Sequence, residues 1–330
     1  MNQNFLERGS CRHTKKFVLM NDINIAITKL LSGNPVAFPT ETVYGLGADC
    51  TNDQAVEKIF LLKGRPSFNP LIIHVLNLDN ALKYGEFNRS ALRLAQSFWP
   101  GPLTLVVPLR PGNKISHRVT AGLETIAIRV PNHPVALELL HRYPNPIAAP
   151  SANKSGYVSP TKHEHVRNEF HDDVFIIPGD QSCIGLESTI VDCSDEEVAI
   201  LRPGFITKTD IENFLGIPVS EKSSTEAIKA PGQLKHHYSP SLPVRLNATS
   251  IFPNEALLTF GSNELTSNIM LNLSPTGNLD EAAANLFDFL RIFDKTSSNI
   301  NQIAVTPIPN IGVGLAINER LQRAATPKSD

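Results

Sequence analysis

Four cysteines in 330 residues, Cys11, Cys50, Cys183 and Cys193, form no CxxC pair. That excludes a disulfide-built framework. The nearest two, Cys183 and Cys193, stand too far apart for an ordinary zinc knuckle, and no metal site is expected. Reduced thiols in a cytoplasmic protein are the simplest expectation. Charge of one sign is equally scarce: 30 Lys and Arg against 32 Asp and Glu leave a net −2. No global field then draws the chain to nucleic acid or membrane, and any anion site has to be a local cluster. No apolar run approaches the length of a membrane span. Phe17 to Met20 is too short for the hydrophobic part of a signal peptide, so residues 1–21 read as a frayed, weakly basic tail. Walker A and the full dinucleotide glycine fingerprint are both missing. Gly185-Leu186-Glu187-Ser188-Thr189 departs from G-x-S-x-G, which removes the serine-hydrolase elbow. Neither repeats nor low-complexity tracts occur.

What remains is an ordinary globular composition, 41% hydrophobic and 19% charged, in a chain long enough for two domains. Apolar spacing of three and four predicts helices over 22–32, 54–62, 91–98 and 133–140. Short apolar strands are predicted at 36–38, 71–75, 103–107, 126–130 and 147–149, and a hairpin at 190–193 and 198–201. Thr161 with Glu164, and Thr209 with Glu212, have capping-box spacing. This first domain, 22–216, reads as an open twisted mixed α/β sheet with helices. Residues 217–240 lack a clear period and read as a linker ending in Lys235-His236-His237-Tyr238. Strands at 244–246, 256–260, 269–273 and 303–305, with helices near 279–293 and 315–325, predict a small Rossmann-like α/β domain over 241–330.

Polar and glycine-bearing segments mostly follow strands, where ligand clefts of such sheets lie. Lys63 and Arg65 suit phosphate oxygens, Lys as a point charge and Arg as a fork. A cation at a helix C-terminus also simply complements the dipole, and for this pair alone that reading is slightly favoured. Gly45-Leu46-Gly47 allows close backbone approach or plain turn geometry. Ser151-Ala152-Asn153 is as much a turn as a ligand loop. Thr161 reads as a cap, His74 as a histidine satisfied by a carbonyl, and Arg202 equally well as a surface cation. Arg129 within a strand needs an acidic partner, which a substrate carboxylate can supply. Adjacent His236 and His237 point apart and make no metal site.

Several long motifs in one order carry a resemblance: PTETVYGLGAD, KGRPSFNPLIIHV, FWPGPLTLVV, TIAIRVPNHP, APSANKSG, GLESTIVD, ILRPG, then APGQLKHHYSP and GVGLAINERLQRAA. They resemble the threonylcarbamoyl-AMP synthases, the YrdC-type family, in the longer two-domain form. The resemblance implies an enzyme, a nucleotidyltransferase condensing L-threonine, bicarbonate or CO2 and ATP to threonylcarbamoyl-AMP and pyrophosphate. The product would feed the tRNA-modification machinery that acts on adenosine beside the anticodon. Carried over residue by residue, Thr42, His74, Arg129, Ser151 and Ser188 would hold threonine. Arg65, Asn69, Thr125, Asn153, Thr161, Arg202 and Tyr238 would contact ATP, and Lys63 would sit with Arg65 near the phosphates. Mg2+ would come bound to ATP, and Tyr238 would help the linker cover the nucleotide. The alternative is an RNA-binding protein using the same cationic groove, against which the near-neutral charge and the lack of an aromatic–basic ladder both count. Weak RNA contact beside the enzymatic role stays open. A carbamoyl-phosphate-using transferase would bring acylphosphatase-like or zinc-finger segments, and none is present.

Overall fold

Apolar runs of only two to six residues have to pair widely to bury their backbone polar groups, and here they do so in one broad sheet. A computed structural model describes residues 16–221, 238–296 and 300–326, with backbone alone for 16–19. In chain order the first domain holds α1 (Lys16–Leu31), β1 (Val36–Phe38), β2 (Gly45–Asp49), α2 (Asp53–Lys63), β3 (Ile72–His74), α3 (Leu78–Ala81) and α4 (Arg89–Phe98). Next come β4 (Leu103–Pro108), α5 (His117–Thr120), β5 (Thr125–Arg129), α6 (Pro134–Arg142), β6 (Ile147–Ala148) and α7 (His163–Phe170). The domain continues through β7 (Phe175–Ile176), β8 (Thr189–Asp192), β9 (Ala199–Arg202), α8 (Lys208–Leu215) and β10 (Ser220–Glu221). The second domain holds β11 (Val244–Arg245), β12 (Glu255–Thr259), β13 (Met270–Asn272), α9 (Leu279–Lys295), β14 (Gln302–Val305) and α10 (Val313–Ala324).

The first ten strands form a mixed sheet in the order β10-β9-β8-β4-β5-β3-β6-β2-β1-β7. Ile23, Ala26 and Leu30 of α1 and Val135, Ala136 and Leu139 of α6 pack with Val36, Phe38 and Ile147 of the sheet in one apolar cluster. A much larger cluster takes in α2 and α4 and continues into the second domain through Leu286, Phe287 and Leu290 of α9. The second domain is a four-stranded parallel sheet, β11-β14-β12-β13. The expected α/β architecture is therefore the one observed.

Several local expectations change. The first described helix already includes Lys16, the first described residue, so it reaches further back than the expected 22; residues 1–15 lie outside the described residues, as does Lys235-His236-His237. Gly45-Leu46-Gly47 is strand, not turn. It pairs with β1, and a Cβ on Gly47 would stand 2.6 Å from Ile147 Cγ2. Lys162, not Thr161, precedes α7, without a side-chain cap. The cap of α8 is Thr207 with Asp210, a reciprocal box two residues before the predicted Thr209 and Glu212. The span read as linker is tied down at both described ends: β10 pairs with β9, and Ser239 bridges to Tyr157.

Between the domains, Gly185 has φ +73° and a Cβ there would sit 2.5 Å from Ala283 O, so α9 packs directly on that loop. Asp288 of α9 meets Lys162 at 2.7 Å and His165 at 3.2 Å, and Arg291 meets Glu169 at 3.4 Å.

Candidate active site

β3 and β5 run parallel with His74 opposite Arg129, while His74 also faces Ile147 of β6. This register brings an imidazole and a guanidinium to the same end of adjacent strands at the middle of the sheet. A cavity of about 50 Å³ opens there, lined by Thr42, His74, Arg129, Ser151 and Ser188. Its walls also include Thr40, Gly45, Ile72, Glu187, Arg65 and Arg202. The five residues expected around threonine thus share one cavity, which suits a small polar ligand and is too small for a nucleotide. A larger open groove of about 770 Å³ beside α1, α2 and α7 contains none of the expected residues. Three of its cations are held by the chain, Lys58 by Gly33 O, Lys154 by Leu62 O and Arg167 by Asp172.

Arg129 is buried, hydrogen-bonded at two guanidinium nitrogens and ion-paired at the third. Nη1 donates to Thr42 Oγ1 (2.8 Å), Nε to Gly101 O (3.2 Å), and Nη2 lies 2.6 Å from Glu41 Oε1. The acid in contact is Glu41, from the same Pro-Thr-Glu-Thr corner as Thr42. Sequence reasoning asked for an acid but did not name this one; the demand of a buried arginine was the available signal. His74 has backbone hydrogen-bonding neighbours in Ile147 and Ile72, in line with a histidine set against carbonyls, although its Nδ1 has no hydrogen-bond partner. Burial and then Arg129 push its pKa down to about 3, so the ring is neutral near pH 7. Ser188 Oγ shares a 2.7 Å hydrogen bond with Thr104 Oγ1.

The other cations are buried against neutral oxygen. The α2 C-terminus is closed by Gly64 in the left-handed region (φ +59°), which turns the chain after Lys63. Lys63 Nζ reaches Ser151 O at 2.6 Å and also Asn153 O, so it serves the 151–153 loop rather than its own helix end. Arg65 donates to Asn69 O (3.1 Å) and Pro70 O (2.8 Å). Arg202, far from a surface cation, donates to Ser188 O from Nε (3.1 Å) and Nη2 (2.9 Å). Burial and then Arg65 lower the Lys63 pKa; burial and then Arg202 bring Arg65 down to about 9. Buried positive charges that lower one another's pKa and bind carbonyls describe a site made for an anion.

Buried polar atoms without partners mark the same region. Both amide atoms of Asn69, Oδ1 of Asn153 and Oγ1 of Thr161 make no hydrogen bond. Thr161 is thus no helix cap; its backbone N–H donates to His165 Nδ1 (3.2 Å) and its hydroxyl stays unused. Thr125 stands apart: it starts β5 opposite Pro108, four residues from Arg129, and does not line the cavity. Tyr238 is fully buried, its ring stacked on Phe287 of α9 at 5.5 Å with Arg320 of α10 at 5.0 Å on it. Sequence reasoning also passed over Glu187, which receives the Ser159 hydroxyl at 2.5 Å and Arg320 Nε at 3.0 Å. Both carboxylates beside the site, Glu41 and Glu187, are thus matched to arginines. Among the described residues no cluster of three or more His, Cys, Asp or Glu is placed to hold a metal ion.

Residues 28–204 match the family model Sua5_yciO_yrdC, described as Telomere recombination. Residues 206–326 match the Threonylcarbamoyl-AMP synthase, C-terminal domain. The threonylcarbamoyl-AMP synthase of Bacillus subtilis (strain 168) is 41% identical, covering 92% of this chain and 94% of its own. That of Pyrococcus abyssi (strain GE5 / Orsay) is 38% identical over the same shares. The crystal structure of P. abyssi Sua5 complexed with L-threonine superposes with a TM-score of 0.84 at 35% identity, covering 92% of this chain and 94% of that one. With two family models side by side and relatives matched along nearly their whole length, the chain belongs to the threonylcarbamoyl-AMP synthase family in its two-domain form.

Proposed function

We propose that the chain condenses L-threonine, bicarbonate or CO2, and ATP into threonylcarbamoyl-AMP and pyrophosphate, as a nucleotidyltransferase, and supplies that product to tRNA modification. One observation carries this reading: a small hydroxyl-lined cavity with Arg129 adjoins three buried cations, Lys63, Arg65 and Arg202, that face neutral oxygens. The relatives named above, and the L-threonine bound to the P. abyssi protein, support it.

The chemistry follows from the residue types. Arg129, held by Thr42 and Glu41, is aimed to receive the carboxylate of threonine. His74, neutral, Ser151 and Ser188 supply polar contacts without adding charge. The amine of threonine and CO2 give a carbamate and a proton. A carbamate oxygen then forms a bond to the α-phosphorus while the bond from that phosphorus to pyrophosphate breaks. Such a step needs alignment and fixed cations facing the developing charge, and no covalent enzyme intermediate. Lys63, Arg65 and Arg202 serve as those cations, with Asn69, Asn153 and Thr161 turning unused polar atoms to the nucleotide. Bound with the triphosphate, Mg2+ would supply part of the charge neutralisation, beside Lys63, Arg65 and Arg202. Tyr238, held by the second domain, covers the nucleotide from the linker, and Thr125, at the start of β5, would meet the nucleotide outside the small cavity. The place of action is the cytoplasm, where the three substrates meet. In keeping with that, no described helix is long and apolar enough to cross a membrane, and Cys50, Cys183 and Cys193 are free thiols.

The test mixes protein, Mg2+, ATP, bicarbonate and L-threonine, and follows pyrophosphate and the adenylate by mass spectrometry. Release that requires threonine is expected. Indifference to threonine sinks the proposal, and salt-sensitive RNA binding without turnover would replace it with the RNA-binding reading.

A further inference from the structure

Arg320 lies on α10 of the second domain, yet its side chain is fully buried against the first. Its guanidinium touches two parts of the site at once. Nε donates to Glu187 Oε2 at 3.0 Å and Nη2 to Pro203 O at 3.0 Å, while the guanidinium carbon stands 5.0 Å from the centre of the Tyr238 ring. Glu319, its neighbour on α10, completes the charge balance. The other oxygen of Glu187 is taken by Ser159 Oγ, so that carboxylate has no freedom left. Glu187 directly precedes Ser188, whose carbonyl and hydroxyl are in turn gripped by Arg202. Tyr238 is pinned between this guanidinium and Phe287.

We propose that Arg320 is a positioning residue that sets Ser188, on the threonine side, and Tyr238, on the nucleotide side, with a single guanidinium. The inference rests on the threonine and nucleotide roles given to those two residues under the proposed function. The second domain thereby gains a definite role, since its last helix holds one wall of the cavity and the linker tyrosine in a common register. A planar fork is required, because a lysine ammonium cannot bond Glu187 and Pro203 while covering an aromatic face.

Steady-state pyrophosphate release by the full chain tests this, with threonine and ATP varied separately. Arg320→Lys keeps the buried positive charge beside Glu187. It is expected to raise the KM of threonine and of ATP together, each by about tenfold, the scale of one lost charge-assisted hydrogen bond, with a smaller effect on kcat. Phe287→Leu removes the stack under Tyr238, along with some core packing that a melting temperature reads separately, and is expected to raise the KM of ATP alone. A purely structural Arg320 would lower the melting temperature and leave both KM values at the wild-type level; that result overturns the proposal. Should Arg320→Lys fail to fold, Glu187→Gln decides. It keeps the shape and weakens the pair, so a joint rise in both KM values supports the proposal and wild-type values overturn it. A wild-type chain that releases no pyrophosphate in response to threonine takes the proposed function down and this inference with it. An active wild type with unaltered variants removes the inference alone.

Discussion

Two sets of buried and half-buried cations in this molecule are balanced in different ways. In the second domain every described arginine meets a carboxylate: Arg245 with Glu255, Arg291 with Glu169, Arg320 with Glu187 and Arg323 with Glu319. In the first domain Lys63, Arg65 and Arg202 are just as buried but donate to carbonyl and hydroxyl oxygens. An arginine with its own acid is complete in charge and calls for no anionic ligand. A buried cation against neutral dipoles lacks its counter-charge, and the missing anion belongs to a ligand. Arg129 stands between the two cases, paired with Glu41 yet facing the cavity.

Removing the unmatched cations should produce the largest effect. Lys63→Ala and Arg65→Ala are each expected to lower turnover by about 10² or more, read as the rate of threonine-dependent pyrophosphate release. Wild-type rates in both would reduce them to braces for the 151–153 loop and the 69–70 turn. A subtler consequence concerns protons. Burial and Arg65 hold the Lys63 pKa down, and phosphate beside it raises that pKa again. The bound state therefore carries more protons than the free protein, and ATP affinity falls as pH rises through the lowered value. Calorimetric titrations over a series of pH values from about 8 upward, where the terminal phosphate has lost its last proton, should show proton uptake as a buffer-dependent enthalpy that appears as pH rises through the lowered value. Equal enthalpies in buffers of different ionisation enthalpy would erase the contrast between the two sets. The smallest effect is expected for a matched pair. Arg245→Ala should cost about 1 kcal/mol of stability or less and leave kcat and both KM values unchanged, checked by chemical denaturation and the same assay. A kinetic defect there would show that the Arg245–Glu255 pair is not merely structural.

Much of this division was visible in the residues. Hydrophobic spacing located most helices and strands within a few positions, because local burial alone sets the periods of two and three to four. Lys63, Arg65, Thr42 and His74 lie within one short stretch whose motifs pointed to them. Arg202 and Thr161 were ambiguous, since exposure and an unused hydroxyl are properties of packing. Glu41 escaped notice although it adjoins Thr42, because its partner lies in β5, far along the chain. Both capping boxes were misplaced: spacing shows where a cap is possible, and the entry of the chain into the helix chooses among candidates.

Length, periodicity and motif order by themselves determined the α/β class, the two domains, the family resemblance and the candidate ligand sets. Tertiary structure alone decided which cations have their own acid and which do not. It gathered the five threonine candidates around one cavity and left Thr125 outside it. It also carried Arg320 from the last helix to Glu187, 133 positions away. The reason is physical: residue type and spacing report local propensity, whereas charge balance in a buried site depends on strand register and domain packing between distant parts of the chain.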